Sequence, residues 1–249
     1  MTLLLLVFIA YAITLSAALA RAGHRSRAVR AEDPPRRNPP TRVLIVGATG
    51  GTGRQLVARA LERGYAVTAL VREPSRLAVD HPRLTIVRGD VLDDASVQAA
   101  VRGQEAVVSA LGHKRYFYPT RILSDGTRNI LRAMEVHRVP RLVCETSLGI
   151  GDSAGRMGLY YTFFVIPMIL PFYYWDKTRQ ERAIAASNVE WVIVRPAVLT
   201  NGARRGRVRH GRVGSFVRTA RVGRADVADF MLEQLASDTY LRAAPGVAW

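Results

Sequence analysis

Apolar and polar positions follow two periods along residues 42–242. Val43 to Val46 is an unbroken apolar run, the pattern of a strand buried on both faces. Beyond Gly47, Gly50 and Gly53, apolar residues recur at helical spacing (Leu56, Val57, Ala60, Leu61), and Gly64 closes that helix. "AVTALV" predicts a second strand and "LTIVRGDVLD" a third, ending at Asp90. "EAVVSALG" predicts a fourth ending at Gly112, "PRLVCETSLG" a fifth ending at Ser147, and "VEWVIVRPAVLTN" a sixth. Between the fourth and fifth, "SDGTRNILRAMEVHRV" predicts a helix with Ile130, Leu131 and Met134 inward. Strands alternating with helices predict an α/β fold with a doubly wound parallel sheet.

Three stretches depart from this pattern. Residues 2–20 carry no charge, and as a helix they span about 28 Å against a hydrocarbon core of roughly 30 Å. Arg21, Arg25, Arg27 and Arg30 follow, which predicts a single-pass cell-membrane anchor over 1–20 with the remainder cytoplasmic. The small residues of "SAALA" support a rival reading, a cleaved signal peptide, but no basic residue precedes the apolar run. Proline and charge over 21–41 predict an extended linker, and the folded domain occupies 42–249. Residues 158–175 are again uncharged, and Pro167 and Pro171 argue against a second straight spanning helix. They read as a substrate loop, about 150–175, that dips into a membrane interface; the alternative is a loop buried in the core. Lastly, Arg204, Arg205, Arg207, Arg209, Arg212, Arg218, Arg221 and Arg224 punctuate a stretch whose glycines and alternating valines suggest a hairpin. Anionic lipid headgroups are its expected partner, a plain solvated face the alternative.

Composition narrows the chemistry. The 249 residues suit one domain with a short extension, and a net charge of +16 asks for an anionic partner. Nucleic acid is not expected, because the basic run lacks interleaved aromatics and a recognisable binding motif. A single cysteine, Cys144, excludes an intrachain disulfide and a cysteine metal cluster, and the five histidines show no metal spacing. Oligomeric state is not legible. Lysine occurs only at Lys114 and Lys177 among many arginines, which marks positions where a compact cation is wanted.

The first strand, turn and helix form a nucleotide-binding unit of Rossmann type. Gly47, Gly50 and Gly53 permit a tight turn and close approach of the backbone to a pyrophosphate at the helix N-terminus, and Thr49 and Thr52 can add hydroxyl donors. The second strand ends at Arg72 rather than at an acidic residue, and Arg76 follows. This pair suits the 2′-phosphate of NADP, and two solvated surface arginines are the plainer alternative. Asp90 is placed to meet the adenine, and Gly112 to lie near the cofactor, at the carboxyl ends of their strands.

"GATGGTG", "VREPSRL", "GDVLDD", "GTRNIL" and "RADVADFML" resemble the atypical short-chain dehydrogenases/reductases with an NAD(P)-binding (NmrA-like) domain, and within them the NADPH-dependent flavin and biliverdin reductases. The likeness covers roughly residues 42–242. It implies NADP(H) contacts at Gly47, Thr49, Gly50, Thr52, Arg72, Ser75, Arg76, Asp90, Val91, Leu111 and Gly112, and matches Ser147 to a serine near the nicotinamide. Where the flavin reductases have histidine this chain has Lys177, four residues after Tyr173, which looks like the Tyr-x-x-x-Lys of the wider superfamily.

Ser147, Tyr173 and Lys177 are therefore the candidate catalytic residues. A lysine ammonium beside a tyrosine lowers its pKa from about 10, and a serine can orient a carbonyl oxygen. Ser147 as a strand-end cap, Tyr173 as an interfacial aromatic, and Lys177 as a phosphate or ribose ligand or a partner of Glu181 are the plainer readings. The expected function is a membrane-anchored NADPH-dependent oxidoreductase acting on a small or lipophilic carbonyl, quinone or flavin. The alternatives are a non-catalytic NADP sensor or assembly factor, and an epimerase or dehydratase with tightly held NAD(P).

Overall fold

The computed structural model describes residues 2–23, 38–211 and 220–249. Most of the expected linker, with Arg25, Arg27 and Arg30, lies outside the described residues, as do Arg212 and Arg218.

A long apolar helix, α1 (Thr2–Ala22), precedes the domain. The chain then runs β1 (Arg42–Val46), α2 (Gly51–Glu62), β2 (Ala66–Val71), β3 (Leu84–Arg88), α3 (Asp94–Val101), β4 (Ala106–Ser109), α4 (Ile122–Val136) and β5 (Arg141–Glu145). After β5 come a π-turn over Tyr161–Val165, a single helical turn α5 (Ile166–Met168), and α6 (Pro171–Ala185). The remainder is β6 (Glu190–Pro196), β7 (Val198–Thr200), β8 (Arg209–Gly211), β9 (Arg221–Gly223), α7 (Arg224–Glu233) and β10 (Gly246–Ala248).

The main sheet has the order β3-β2-β1-β4-β5-β6-β10-β8, parallel except for β8 at its edge. This is the doubly wound Rossmann arrangement, with the order reversing at β1 and β4. Successive side chains of β1 point to opposite faces, as the pleat requires. Val43 and Ile45 pack with Leu56, Val57 and Ala60 of α2 and Val227 and Met231 of α7. Leu44 and Val46 pack with Val97 of α3, Ile130 and Met134 of α4, and Ile184 of α6. Both faces are covered, which is why the strands read as continuous apolar runs rather than alternating ones.

Two expectations are corrected. Among the described residues the arginine-rich stretch shows no hairpin pairing: β8 pairs antiparallel with β10, and β9 pairs in parallel with β7 in a separate two-stranded sheet. Period-2 alternation marks both segments as strands, but their partners are chosen by distant parts of the chain. The run 158–175 is helical rather than a loop. Pro171 sits in the first turn of α6, where its missing N–H costs nothing, so that helix starts inside the uncharged run.

Candidate active site

The turn between β1 and α2 is built by crowding. Gly47 has φ +80°, and a Cβ there would fall 2.4 Å from the Ala110 carbonyl oxygen at the end of β4. A Cβ on Gly53 would lie 2.0 Å from the Gly47 oxygen, so this glycine serves the contact of helix and turn. Gly50 caps α2 without any side-chain hydrogen bond, leaving the first-turn N–H groups of the helix directed at the adjoining cavity.

That cavity has a volume of about 720 Å³ and runs along the carboxyl ends of the strands. Gly47, Thr49, Gly50 and Thr52 line it from the first turn, Arg72 and Arg76 from the end of β2, and Asp90 and Val91 from the end of β3. Leu111, Gly112, His113 and Tyr116 line it after β4, Glu145 and Thr146 at the end of β5, and Tyr173 and Lys177 from α6. Arg72, Ser75 and Arg76 are exposed, and Ser75 and Gly53 do not line the cavity. Asp90 shapes its own turn by accepting the Leu92 N–H at 3.0 Å. Of the expected substrate loop 150–175, Tyr173 alone lines the cavity among the described residues.

Thr52 departs from the expectation that its hydroxyl serves a phosphate. It faces inward from α2 and donates to the buried Glu145 carboxylate at 3.1 Å.

Tyr173 and Lys177 do share one face of α6. The Lys177 ammonium stands 5.2 Å from the centroid of the Tyr173 ring and donates to the Glu145 carbonyl oxygen at 3.4 Å. A Cβ on Gly112 would lie 3.6 Å from the Tyr173 hydroxyl. Burial pushes the Tyr173 phenol above its ordinary pKa, and the pull of Lys177 does not overcome it. The expected lowering of the tyrosine is thus reversed. For Lys177, burial opposes the charge, but Tyr173 and Glu145 outweigh it and the net direction is upward. Burial likewise raises Glu145, against the opposing effects of Lys177 and the Thr52 hydrogen bond.

Ser147 does not join them. Its hydroxyl shares a 3.0 Å hydrogen bond with Tyr174, which itself donates to the Leu148 carbonyl at 3.1 Å. Neighbouring residues on a helix diverge by about 100°, so Tyr174 enters the core while Tyr173 faces the cavity. Glu181 does not serve Lys177 either. It receives Arg195 at 2.7 and 2.9 Å and the Thr146 hydroxyl at 2.7 Å.

His113 is a cavity residue that the sequence reading missed. Its ring meets the Tyr173 ring edge-on at 5.0 Å, and Tyr116 meets it similarly at 5.7 Å. His113 Nδ1 accepts the Arg115 N–H at 3.1 Å, which assigns the proton to Nε2, 2.9 Å from the Thr120 hydroxyl. Asp176, fully buried, accepts the N–H groups of Leu123 and Ser124 at 3.0 and 3.2 Å and lies 4.0 Å from His113. Burial lowers the His113 pKa, reinforced by Lys177 and Arg115 and opposed by Asp176. The only sequence signal was its place directly after Gly112.

Comparison with known proteins identifies the family and the fold. An NAD(P)H-binding family model matches residues 47–238. An uncharacterized chloroplastic protein of Arabidopsis thaliana is 31% identical over 182 residues, covering 67% of this chain and 62% of its own length. The chain thus spans less than two thirds of that relative. The reductase pytE of Aspergillus terreus is 29% identical, covering 78% of this chain and 90% of that protein. A short-chain dehydrogenase/reductase of Veillonella parvula, solved in complex with NADP, superposes with a TM-score of 0.72 at 19% identity, over 84% of this chain and 95% of that one. Since the match begins at the glycine turn and runs past α7, the chain belongs to the NAD(P)H-binding family.

Proposed function

We propose that the chain is a membrane-attached NADPH-dependent reductase of a small or lipophilic carbonyl, quinone or flavin. The observation that carries this reading is that Tyr173, backed by Lys177, shares one cavity with the glycine turn and lies beside Gly112. A reduced nicotinamide, when bound, supplies the hydride.

The protein's part is binding, position and a proton. The uncapped first turn of α2, with Gly47, Thr49 and Gly50, suits the pyrophosphate. Arg72 and Arg76, with Ser75 between them, suit a 2′-phosphate, which favours NADP over NAD; the NADP-bound Veillonella parvula protein supports that choice. Asp90 and Val91 fit the adenine end, Leu111 and Gly112 the nicotinamide end. Tyr173 is a neutral phenol at physiological pH and can hand its proton to the acceptor oxygen as hydride reaches the adjoining carbon. Lys177 stabilises the tyrosinate left behind until water restores it. Ser147 keeps a supporting place beneath Tyr174. Leu4–Ala22 of α1 is long and apolar enough to cross a membrane, and Arg21 at its end favours a cytoplasmic domain by the positive-inside rule.

The test is a titration of the purified full chain with NADPH and NADH, followed by oxidation assays over carbonyls, quinones and flavins. Turnover that Tyr173→Phe and Lys177→Ala abolish, with nucleotide affinity preserved for Tyr173→Phe, supports the reading. Binding without oxidation of any acceptor returns the chain to a nucleotide sensor.

A further inference from the structure

The helix α1 is not a free stalk. Ala12 and Leu19 are fully buried, and Leu19 belongs to the same apolar cluster as Ile150, Ile166 and Tyr174. At its end the backbones touch: a Cβ on Gly23 would fall 2.3 Å from the Gly151 nitrogen. The Arg182 guanidinium donates to the Ala22 carbonyl, and further up the Tyr11 hydroxyl donates to the Pro167 carbonyl at 3.3 Å. Contact thus runs from Gly23 to Tyr11, about 18 Å of helix axis. Only Thr2 to Tyr11 projects beyond the domain, about 14 Å, or half of a hydrocarbon core of roughly 30 Å.

The lower half of α1 is flanked by the uncharged stretch 159–172, which turns Leu159, Tyr160, Phe164, Met168 and Phe172 outward. Tyr160 and Phe164 stack at 5.7 Å on this outer side. Such a patch is costly in water, and it continues directly into the exposed leucines of α1. Its backbone is compatible with lipid, because Thr162, Ile169 and Leu170 donate their N–H groups within the helical turns. Cations border its landward side: Arg21 and Arg182 are exposed, and Arg179 lies over the Trp175 ring at 5.9 Å. An apolar face edged by arginine and tryptophan, with no acidic residue inside it, complements an anionic bilayer surface.

We propose that α1 and residues 159–172 enter the membrane together as one apolar unit, sinking the domain into the leaflet to the level of Tyr11. This deepens the proposed membrane attachment and rests on α1 being embedded. It replaces a domain hung on a linker with one seated in the lipid, and it puts Tyr173, next to Phe172, close to the interface.

Cys144 is the chain's single cysteine and is buried, so an introduced cysteine can be labelled alone. Leu6→Cys, Tyr160→Cys, Phe164→Cys and, as a control, Glu62→Cys in the full chain would each carry an environment-sensitive dye. The labelled proteins are placed in nanodiscs of phosphatidylcholine and phosphatidylglycerol bearing nitroxides on the acyl chains. The expected result is loss of most emission at positions 6, 160 and 164, with position 62 unaffected. Quenching at 6 but at neither 160 nor 164 overturns the proposal while leaving the anchor intact. Silence at 6, 160 and 164 overturns it through the anchor itself. Labels at 160 and 164 that ignore lipid but crosslink to a second copy give the patch to a dimer and also overturn it. Reading two adjacent positions guards against one variant misfolding.

Discussion

Ser147 shares its hydrogen bond with Tyr174 and not with Tyr173. Two adjacent tyrosines on α6 therefore hold different posts. One faces the cavity beside Lys177, and the other pins the end of β5 from within the core.

The two tyrosines should separate cleanly by mutation. Tyr173→Phe removes the proposed proton donor and should lower turnover by about 10²- to 10⁴-fold with an unchanged melting temperature. Tyr174→Phe removes a buried hydroxyl with two hydrogen-bonding neighbours, and should cost roughly 0.5–1.5 kcal/mol of stability while sparing turnover. Steady-state kinetics and thermal melts on the same preparations check both.

Arg72 and Arg76 should set nucleotide choice. Each charge-assisted hydrogen bond to a 2′-phosphate is worth about 1.5–3 kcal/mol, or roughly tenfold to a hundredfold in affinity. Arg72→Ala and Arg76→Ala should each weaken NADPH by about that factor and leave NADH unchanged. Titrations followed by nicotinamide fluorescence would show the preference vanish in the double variant.

Gly53→Ala should damage the fold and the nucleotide site together. The added methyl meets the Gly47 oxygen at 2.0 Å, and backbone on both sides must give way. Overpacking of this kind costs about 1–3 kcal/mol. The melting temperature and the NADPH affinity should both fall, whereas Arg72→Ala lowers only the second.

His113 should make the protein sensitive to mild acid. Its pKa in the folded state lies below the unfolded value of about 6.5, so the unfolded chain takes up the proton first. The stabilisation is complete above that value and is lost as pH falls from there through the folded pKa. A melting-temperature profile should decline as pH falls through that interval, and His113→Gln should flatten the decline.

Much of the architecture was readable because both faces of the sheet are covered. Apolar runs such as Val43 to Val46 admit few other environments, and the glycine turn behind them has one use in that setting. The site was less legible where a role depends on the face of a helix. The helical register that separates Tyr173 from Tyr174 is set by the start of α6 at Pro171, inside a run that reads as a loop. His113 was missed because its meaning comes from Asp176, on another element, and no local pattern connects them. The pairing of the described arginine-rich strands was hidden for a related reason. Alternation identifies β8 as a strand, but its partner β10 is formed by residues more than thirty positions away.

Asp176 and Lys177 are neighbours in sequence with opposite errands. The aspartate reaches to the start of α4 and to Thr120 on the strap beyond His113, while the lysine reaches to β5. One turn of α6 is thereby a keystone, locked on either flank by polar bonds in the dry interior. Tyr173 rides on that stone three positions ahead of Asp176, so the group that would meet an acceptor is carried by masonry rather than by a swinging door.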